Sequence, residues 1–133
     1  MAARGNKNSP PSAVLTAARK STKKAYAPYS RYQVGAAVKT ASGKIFSGSN
    51  IENISYGATV CAERVAVWKA VSEGHRRFSW LAISTQGGEK PYPCGTCRQV
   101  LQEFAENLNL IIDHKGKTEI ISLAALFPKP FTK

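Results

Sequence analysis

The chain has 133 residues, 43% of them hydrophobic, and carries a formal net charge of +11. This length suits one domain with a single hydrophobic core. A membrane-spanning helix needs about eighteen consecutive apolar residues, and no apolar run approaches that length. Residues 1–20 contain no apolar stretch typical of a secretory signal. A cytoplasmic location is therefore expected. Nine of the basic residues and no acid lie in residues 1–51, which favours a solvated basic surface and leaves an accessory polyanion contact open.

The N-terminus differs in composition from the remainder of the chain. Residues 1–11 are small, polar and without periodicity, which is typical of a flexible arm. Ser12 is predicted to cap the first helix, and Pro28 cannot continue a helical hydrogen-bond ladder. We therefore predict a flexible basic arm over residues 1–11 and a single domain over residues 12–133.

Hydrophobic periodicity and turn residues predict the elements that follow. From Tyr32 to Val38 every second residue falls on the same face of a predicted strand, namely Tyr32, Val34, Ala36 and Val38, and Ser42-Gly43 is predicted to form a hairpin turn. The predicted elements are a helix over 12–25, strands over 32–38 and 44–49, a helix over 61–72, a strand over 80–84, a helix over 95–107, strands over 108–113 and 118–121, and a short helix capped by Ser122 and ending at Leu126. A helix joins the third and fourth strands, which predicts a parallel pair. The fold class is therefore α/β, a three-layer α/β/α arrangement in the order αββαβαββα with a central mixed five-stranded sheet.

Three cysteines lie in two clusters at predicted strand-to-helix junctions, namely Cys61 and the pair Cys94 and Cys97. A disulfide framework normally uses an even number of cysteines. A redox-active pair is the alternative for Cys94 and Cys97, but it leaves Cys61 and Glu63 unexplained. Three thiolates can hold zinc and leave its fourth position open for water, whereas closed structural sites use four protein ligands.

Charged residues follow both clusters. Glu63 lies two residues after Cys61, close enough to move protons at a metal-activated water without binding the metal. Zinc with three thiolates carries a net charge of −1, which weakens it as a Lewis acid. Arg64 and Arg98 are therefore candidates to draw negative charge away from the sulfur atoms, and an exposed helical position is the alternative for each.

From about Ala25 to Phe131 the chain resembles the small, homotetrameric type of zinc-dependent cytidine deaminase. The matching segments are Tyr26-Ala-Pro-Tyr-Ser, Val34-Gly-Ala-Ala, Asn50-Ile-Glu-Asn, Cys61-Ala-Glu-Arg, Val71-Ser-Glu-Gly and Pro93-Cys-Gly-Thr-Cys-Arg-Gln-Val-Leu. The resemblance implies hydrolytic deamination of cytidine and 2′-deoxycytidine to the uridine nucleosides and ammonia, as in pyrimidine salvage. It also implies one Zn²⁺ per subunit, a nucleoside substrate, and active sites shared within a homotetramer, with neither a membrane nor a nucleic acid as the expected partner.

The resemblance also assigns roles to individual residues. In chain order these are Tyr32 at the wall of the nucleoside pocket, Asn50 and Glu52 on the ribose 3′-hydroxyl, Cys61, Cys94 and Cys97 as zinc ligands, Ala62 offering its backbone N–H to the pyrimidine, Glu63 as proton shuttle, and Phe131 packing on the base in a neighbouring subunit. The loop at Tyr56 would complete a neighbouring site. Turn-favouring loop residues are the alternative for Asn50 and Glu52, and anchoring of the C-terminal tail is the alternative for Phe131.

Two positions depart from the family pattern. Tyr32 stands where relatives carry Phe, which adds a hydroxyl at the pocket wall, and Tyr92 stands where relatives commonly carry Ser. His75 and His114 match no ligand of the family and are predicted in exposed loops.

Three other functions remain open from the sequence. They are deamination within a single-stranded polynucleotide, deamination of a modified cytosine nucleoside, and a non-catalytic zinc-stabilised binding module. Asn50 and Glu52, which suit a free 3′-hydroxyl, argue against the polynucleotide.

Overall fold

A mixed five-stranded sheet with strand order β2-β1-β3-β4-β5 forms the centre of the molecule in the computed structural model, which describes residues 9–105 and 107–132. The strands are β1 (Val34–Thr40), β2 (Ile45–Ser49), β3 (Phe78–Thr85), β4 (Asn109–His114) and β5 (Lys117–Ser122), and the helices are α1 (Ser12–Ser21), α2 (Ala62–Ser72), α3 (Gly95–Phe104) and α4 (Leu123–Leu126). Strands β3 and β4 are parallel, and the other neighbouring strands are antiparallel. The predicted fold class, element order and parallel pair are confirmed.

Helices cover both faces of this sheet. Because successive side chains of a strand point to opposite faces, the central strands supply two apolar clusters. Helix α1 packs on one face through Val14 and Ala18, and α2 and α3 pack on the other, where the larger cluster lies. The buried strand residues of that larger cluster are Val34, Ala36, Val38, Phe78, Leu81, Ile83, Leu110 and Ile112.

Two glycines allow helices to approach the sheet closely. A Cβ at Gly35 would lie 2.2 Å from the carbonyl oxygen of Ala18 in α1, and one at Gly48 would lie 2.6 Å from the amide nitrogen of Ala66 in α2. The Gly48 position would also meet the carbonyl oxygen of Ala62 at 2.9 Å. The first turn of α2, which carries Glu63, is therefore seated directly on the backbone of β2.

Element ends differ from the sequence-based expectation. Ser12 is the first residue of α1 and not its cap, because Pro11 takes the flanking position and its carbonyl already accepts the amide of Val14 at 3.2 Å. Helix α1 ends at Ser21 and continues as a 3-10 turn over Thr22–Lys24, and α3 ends at Phe104. The predicted cap of α4 is confirmed, since the Ser122 hydroxyl accepts the Ala125 amide at 3.1 Å.

The predicted arm falls mostly outside the described residues, which include only residues 9–11 of it, and the division at residue 12 stays a prediction. Among the helices of the described part of the chain, none is long and apolar enough to cross a membrane.

An ion pair fastens α1 to the sheet. Arg19 donates from Nε to Asp113 Oδ2 at 2.9 Å and from Nη2 to Oδ1 at 2.8 Å, and the Ser84 hydroxyl donates to Asp113 Oδ2 at 2.7 Å. The Asp113 side chain is fully buried, while that of Arg19 is 42% exposed. Burial alone would raise the pKa of Asp113, but the hydrogen bonds from Arg19 and Ser84 outweigh it and lower the pKa below its usual value.

We expect Arg19→Met to lower the free energy of unfolding by about 1–3 kcal/mol, because it leaves a buried carboxylate without its cation. The loss is smaller than for a fully buried pair because Arg19 is partly solvated. Since the folded pKa of Asp113 lies below its unfolded value, the contribution is present above about pH 4 and is lost as the pH falls further. Urea unfolding at pH 7 and pH 3 measures both effects. The exposed neighbour Lys20, replaced by Met, is the control, and an equal loss in both variants would contradict the assignment.

Candidate functional site

Two helix starts bring the three thiols together. Cys61 precedes α2 as its N-cap and Cys94 precedes α3 in the same way, while Cys97 lies in the first turn of α3. The sulfur atoms of Cys61 and Cys94 lie 3.8 Å apart, those of Cys94 and Cys97 lie 3.5 Å apart, and all three lie within 4.8 Å of one another. Tetrahedral ligands at the usual Zn–S distance of about 2.3 Å have their sulfur atoms about 3.8 Å apart. The spacing therefore fits zinc, with three protein ligands and one open position.

The protonation of these thiols also favours a cation. Hydrogen bonds from Cys97 and Arg64 lower the pKa of Cys61 to about 5, and the same contact with the Cys61 sulfur raises the pKa of Cys97. Three adjacent thiolates repel one another, so one thiol keeps its proton when no positive charge lies between them. Metal binding by cysteine requires the deprotonated form. A divalent cation supplies the charge that this cluster needs to ionise fully.

Glu63 projects from the first turn of α2 into the same region. Only 5% of it is exposed. Burial and, to a smaller extent, the negative charge of Cys61 together raise the pKa of its carboxyl group to about 7. A carboxyl group with a pKa near neutrality can both accept and donate a proton at physiological pH, which is the requirement for general acid–base catalysis.

A small cavity of about 180 Å³ joins the thiols and Glu63 to an apolar wall. It is smaller than the roughly 300–1,000 Å³ of pockets for drug-sized ligands, and it suits a single planar ring. The lining residues are Tyr32, Val34, Asn50, Cys61, Ala62, Glu63, Ile83, Pro91, Tyr92 and Cys94. The structure therefore brings six of the eleven predicted site residues to one cavity, all except Glu52, Arg64, Cys97, Arg98 and Phe131.

Polar groups at the cavity are held by the backbone around them. The Asn50 side chain accepts the Val34 amide at 2.9 Å and donates to the Tyr32 carbonyl at 2.8 Å, so its orientation is fixed and one amide hydrogen stays available. Ala62 is the first residue of α2, and its N–H therefore has no acceptor within the helix. Both groups can serve a ligand without rearrangement.

Glu52 lines a different pocket, which also includes Arg64 and Tyr56, and it organises the loop before β1. Its Oε1 accepts the amides of Tyr29 and Ser30 at 2.9 and 3.1 Å, and its Oε2 accepts the Ser30 hydroxyl. The hydrogen bond from Ser30 is the main reason that the pKa of Glu52 is lowered. No sequence pattern predicted this link of Tyr29 and Ser30 to Glu52, because the partners lie more than twenty residues apart along the chain.

The two candidate arginines make different contacts. Arg64 donates from Nη2 to the Cys61 sulfur at 3.6 Å and lies 5.7 Å from the centre of the Trp68 ring. Arg98 donates to the carbonyls of Pro93 at 2.8 Å and Leu126 at 2.9 Å. Arg98 thus fixes the backbone just before Cys94, and its effect on the charge of the sulfur atoms stays a prediction.

The tyrosine hydroxyls at the cavity wall both donate to protein groups. Tyr32 donates to the carbonyl of Glu89 at 2.8 Å, and burial raises its pKa to about 12. Tyr92 donates to Glu119 Oε1 of β5 at 2.5 Å. Both hydroxyls are thus engaged by protein groups.

Other predicted residues lie apart from the cavity. Phe131 and Tyr56 are 84% and 87% exposed, and the Phe131 carbonyl accepts Gln99 Nε2 at 3.0 Å. The expected exposure of the histidines is wrong. His75 is half-buried against the Phe46 ring, with ring centres 5.3 Å apart, and His114 is the half-buried last residue of β4.

Comparison with known proteins covers most of the chain. Residues 9–111 match the family model described as the cytidine and deoxycytidylate deaminase zinc-binding region. A cytidine deaminase of Sporosarcina psychrophila is 41% identical over 122 residues, which is 90% of either chain, and one of Halalkalibacterium halodurans is 44% identical over 110 residues, 81% of this chain and 83% of the relative.

Structural similarity agrees with these matches. The crystal structure of the cytidine deaminase from Burkholderia pseudomallei superposes with a TM-score of 0.86 at 38% identity, covering 92% of this chain and all of that one. Residues 9–111, which match the family model, include the thiol cluster and Glu63.

Proposed function

Because the chain belongs to the cytidine and deoxycytidylate deaminase family, we propose that it hydrolyses cytidine and 2′-deoxycytidine to uridine and 2′-deoxyuridine with release of ammonia. The observation that carries the proposal is the meeting of three thiols and a buried carboxyl group at a cavity of single-ring size. Cys61, Cys94 and Cys97 would hold a zinc ion, which would supply the Lewis acid that makes water a better nucleophile.

Glu63 moves the protons of this reaction. Its carboxylate takes a proton from the attacking water as the new C–O bond forms at C4 of the pyrimidine, and it delivers that proton to the ring nitrogen N3. The remaining hydroxyl proton passes through the same carboxyl group to the amino group as the C4–N bond breaks, and ammonia leaves. The pKa of about 7 supports both directions of transfer, and the burial of Glu63 keeps bulk water away from the exchanged proton.

We assign substrate contacts to the groups that the backbone holds in place. The Asn50 amide and the Glu52 carboxylate provide a donor and an acceptor for the sugar 3′-hydroxyl, and the Ala62 N–H contacts the pyrimidine edge. The Tyr32 ring forms an apolar wall. A free 3′-hydroxyl satisfies Asn50 and Glu52, whereas a phosphodiester brings a negative charge next to Glu52, which supports a nucleoside over a polynucleotide.

We further propose a cytoplasmic homotetramer with one zinc ion per subunit. Large exposed apolar side chains support association, since monomers rarely expose them in numbers. Ile54, Tyr56, Trp68 and Phe131 are 85%, 87%, 48% and 84% exposed. In the tetramer Phe131 would pack on the base in a neighbouring site and the Tyr56 loop would complete another.

The proposal is tested by mixing zinc-loaded protein with cytidine, single-stranded DNA or a modified cytosine nucleoside. We expect loss of the cytosine absorbance with cytidine and 2′-deoxycytidine, at a kcat within the usual range of about 1–10³ per second, and no cytosine-to-uracil change when the DNA is sequenced. Conversion of DNA without conversion of cytidine would contradict the proposal. Stoichiometric zinc without turnover of any of these substrates would instead indicate a non-catalytic module.

A further inference from the structure

The loop over residues 86–91 joins β3 to the segment that carries Cys94, and it forms one side of the cavity. Pro91 lines the cavity directly. The loop is held partly by β4, because His114 Nε2 lies 2.8 Å from the carbonyl oxygen of Gly88. A carbonyl oxygen only accepts hydrogen bonds, so Nε2 carries the hydrogen. His114 itself does not line the cavity and would act on it through the loop.

Gly88 in turn lies against the ring of Tyr32. A Cβ at Gly88 would meet ring carbons Cδ1 and Cε1 at 2.8 and 2.9 Å, and Gly88 has a φ of +64°, in the left-handed region that favours glycine. The Tyr32 hydroxyl donates to the next carbonyl, that of Glu89, at 2.8 Å. Two adjacent peptide carbonyls of the loop are thus hydrogen-bonded, that of Gly88 by His114 and that of Glu89 by Tyr32. The position of Gly88 therefore limits where the Tyr32 ring can lie.

We propose that His114 is a positioning residue for substrate binding, which fixes Gly88 and, through it, the Tyr32 ring at the wall of the nucleoside cavity. The inference rests on the proposed function, since the wall matters for a pyrimidine bound beside Glu63. The chain of contacts runs from His114 to the Gly88 carbonyl, from the Gly88 Cα to the Tyr32 ring, and from that ring to the cavity.

The hydrogen bond does not depend on the charge of His114. The neutral Nε2–H tautomer and the imidazolium both donate from Nε2. The end of β4 is also held independently of this side chain, because the Lys115 amide donates to the Thr85 carbonyl at 3.0 Å. Removal of the imidazole is therefore expected to release the loop without unfolding the sheet.

The test compares His114→Ala with His114→Gln, whose side-chain amide can donate from a similar position. We expect His114→Ala to raise KM for cytidine about fivefold, the equivalent of one hydrogen bond of about 1 kcal/mol, with kcat within about twofold of the wild type and zinc content unchanged. His114→Gln is expected to restore KM. His75→Ala, at the other histidine, is the control for removal of an imidazole and should leave KM unchanged.

A second readout does not require turnover. In His114→Ala, the amides of residues 86–90 are expected to exchange hydrogen for deuterium about fivefold faster, while those of β3 and β4 keep the wild-type rate. If the wild type does not convert cytidine, the proposed function fails and the exchange experiment still decides whether His114 holds the loop. An unchanged KM in an active enzyme, unchanged exchange, or a parallel loss of kcat and zinc in His114→Ala would each overturn the inference.

Discussion

Replacement of Glu63 by glutamine is expected to lower kcat by about 10²–10⁴-fold while zinc remains bound, the usual contribution of a positioned general acid–base group. The amide keeps the size of the side chain but neither accepts the proton of the attacking water nor delivers one to the ring. Because Glu63 is not a metal ligand in this assignment, elemental analysis should find one zinc ion per subunit in the variant. Stopped-flow absorbance at saturating cytidine measures kcat.

The matched control is Glu73→Gln, at an exposed position just after the same helix, which should retain wild-type turnover. A Glu63→Gln enzyme with kcat within tenfold of the wild type would remove Glu63 from the mechanism. Loss of zinc together with activity would assign it to metal binding instead.

The same variant should fold normally. Burial raises the folded pKa of Glu63 to about 7. Ionising this carboxyl group therefore destabilises the folded state. This destabilisation is absent below the unfolded pKa of about 4 and increases as the pH rises toward 7. A neutral amide does not carry this cost. We therefore expect the melting temperature of Glu63→Gln at pH 7 to equal or exceed that of the wild type, which separates the loss of catalysis from a loss of structure.

Removal of zinc is expected to abolish turnover, with a loss of about a thousandfold or more, since the metal supplies several kcal/mol of transition-state stabilisation. Prolonged dialysis against a strong chelator should produce the inactive protein. Added Zn²⁺ should restore activity and added Mg²⁺ should not, because magnesium prefers oxygen ligands over thiolates.

The corresponding variant is Cys97→Ala, which removes a buried ligand and should lose both zinc and activity. Thr96→Ala, at the exposed adjacent residue, is the control and should keep both. A fully active protein after complete removal of zinc would refute the metal's catalytic role, and an active Cys97→Ala variant would refute the three-thiol ligand set.

Part of this architecture follows from local sequence patterns. The alternation from Tyr32 to Val38 is a short-range regularity, and it predicted the hairpin. The helix between the third and fourth strands is also visible locally, and it predicted the parallel pair. The spacing of Cys61, Glu63, Cys94 and Cys97 predicted the metal centre for a similar reason, since fixed positions near helix starts constrain where the side chains point.

The contacts that the sequence did not predict join distant segments. Arg19 meets Asp113, Ser30 meets Glu52, and His114 meets Gly88. In each pair the tertiary fold brings together residues from distant segments, and no periodicity relates the two partners. Helix ends were missed for a different reason, because a flanking residue such as Pro11 can take the position that the preferred cap would occupy.

The two helix starts that carry Cys61 and Cys94 lie 33 residues apart in the chain. A zinc ion bound by both closes a loop of that length, as a covalent cross-link would, and on the scale used for disulfides such a closure removes about 3–4 kcal/mol of conformational entropy from the unfolded chain. The ion can dissociate, so this cross-link is reversible. The supply of zinc would then influence how much of the polypeptide survives as folded protein, in addition to how fast each folded molecule works.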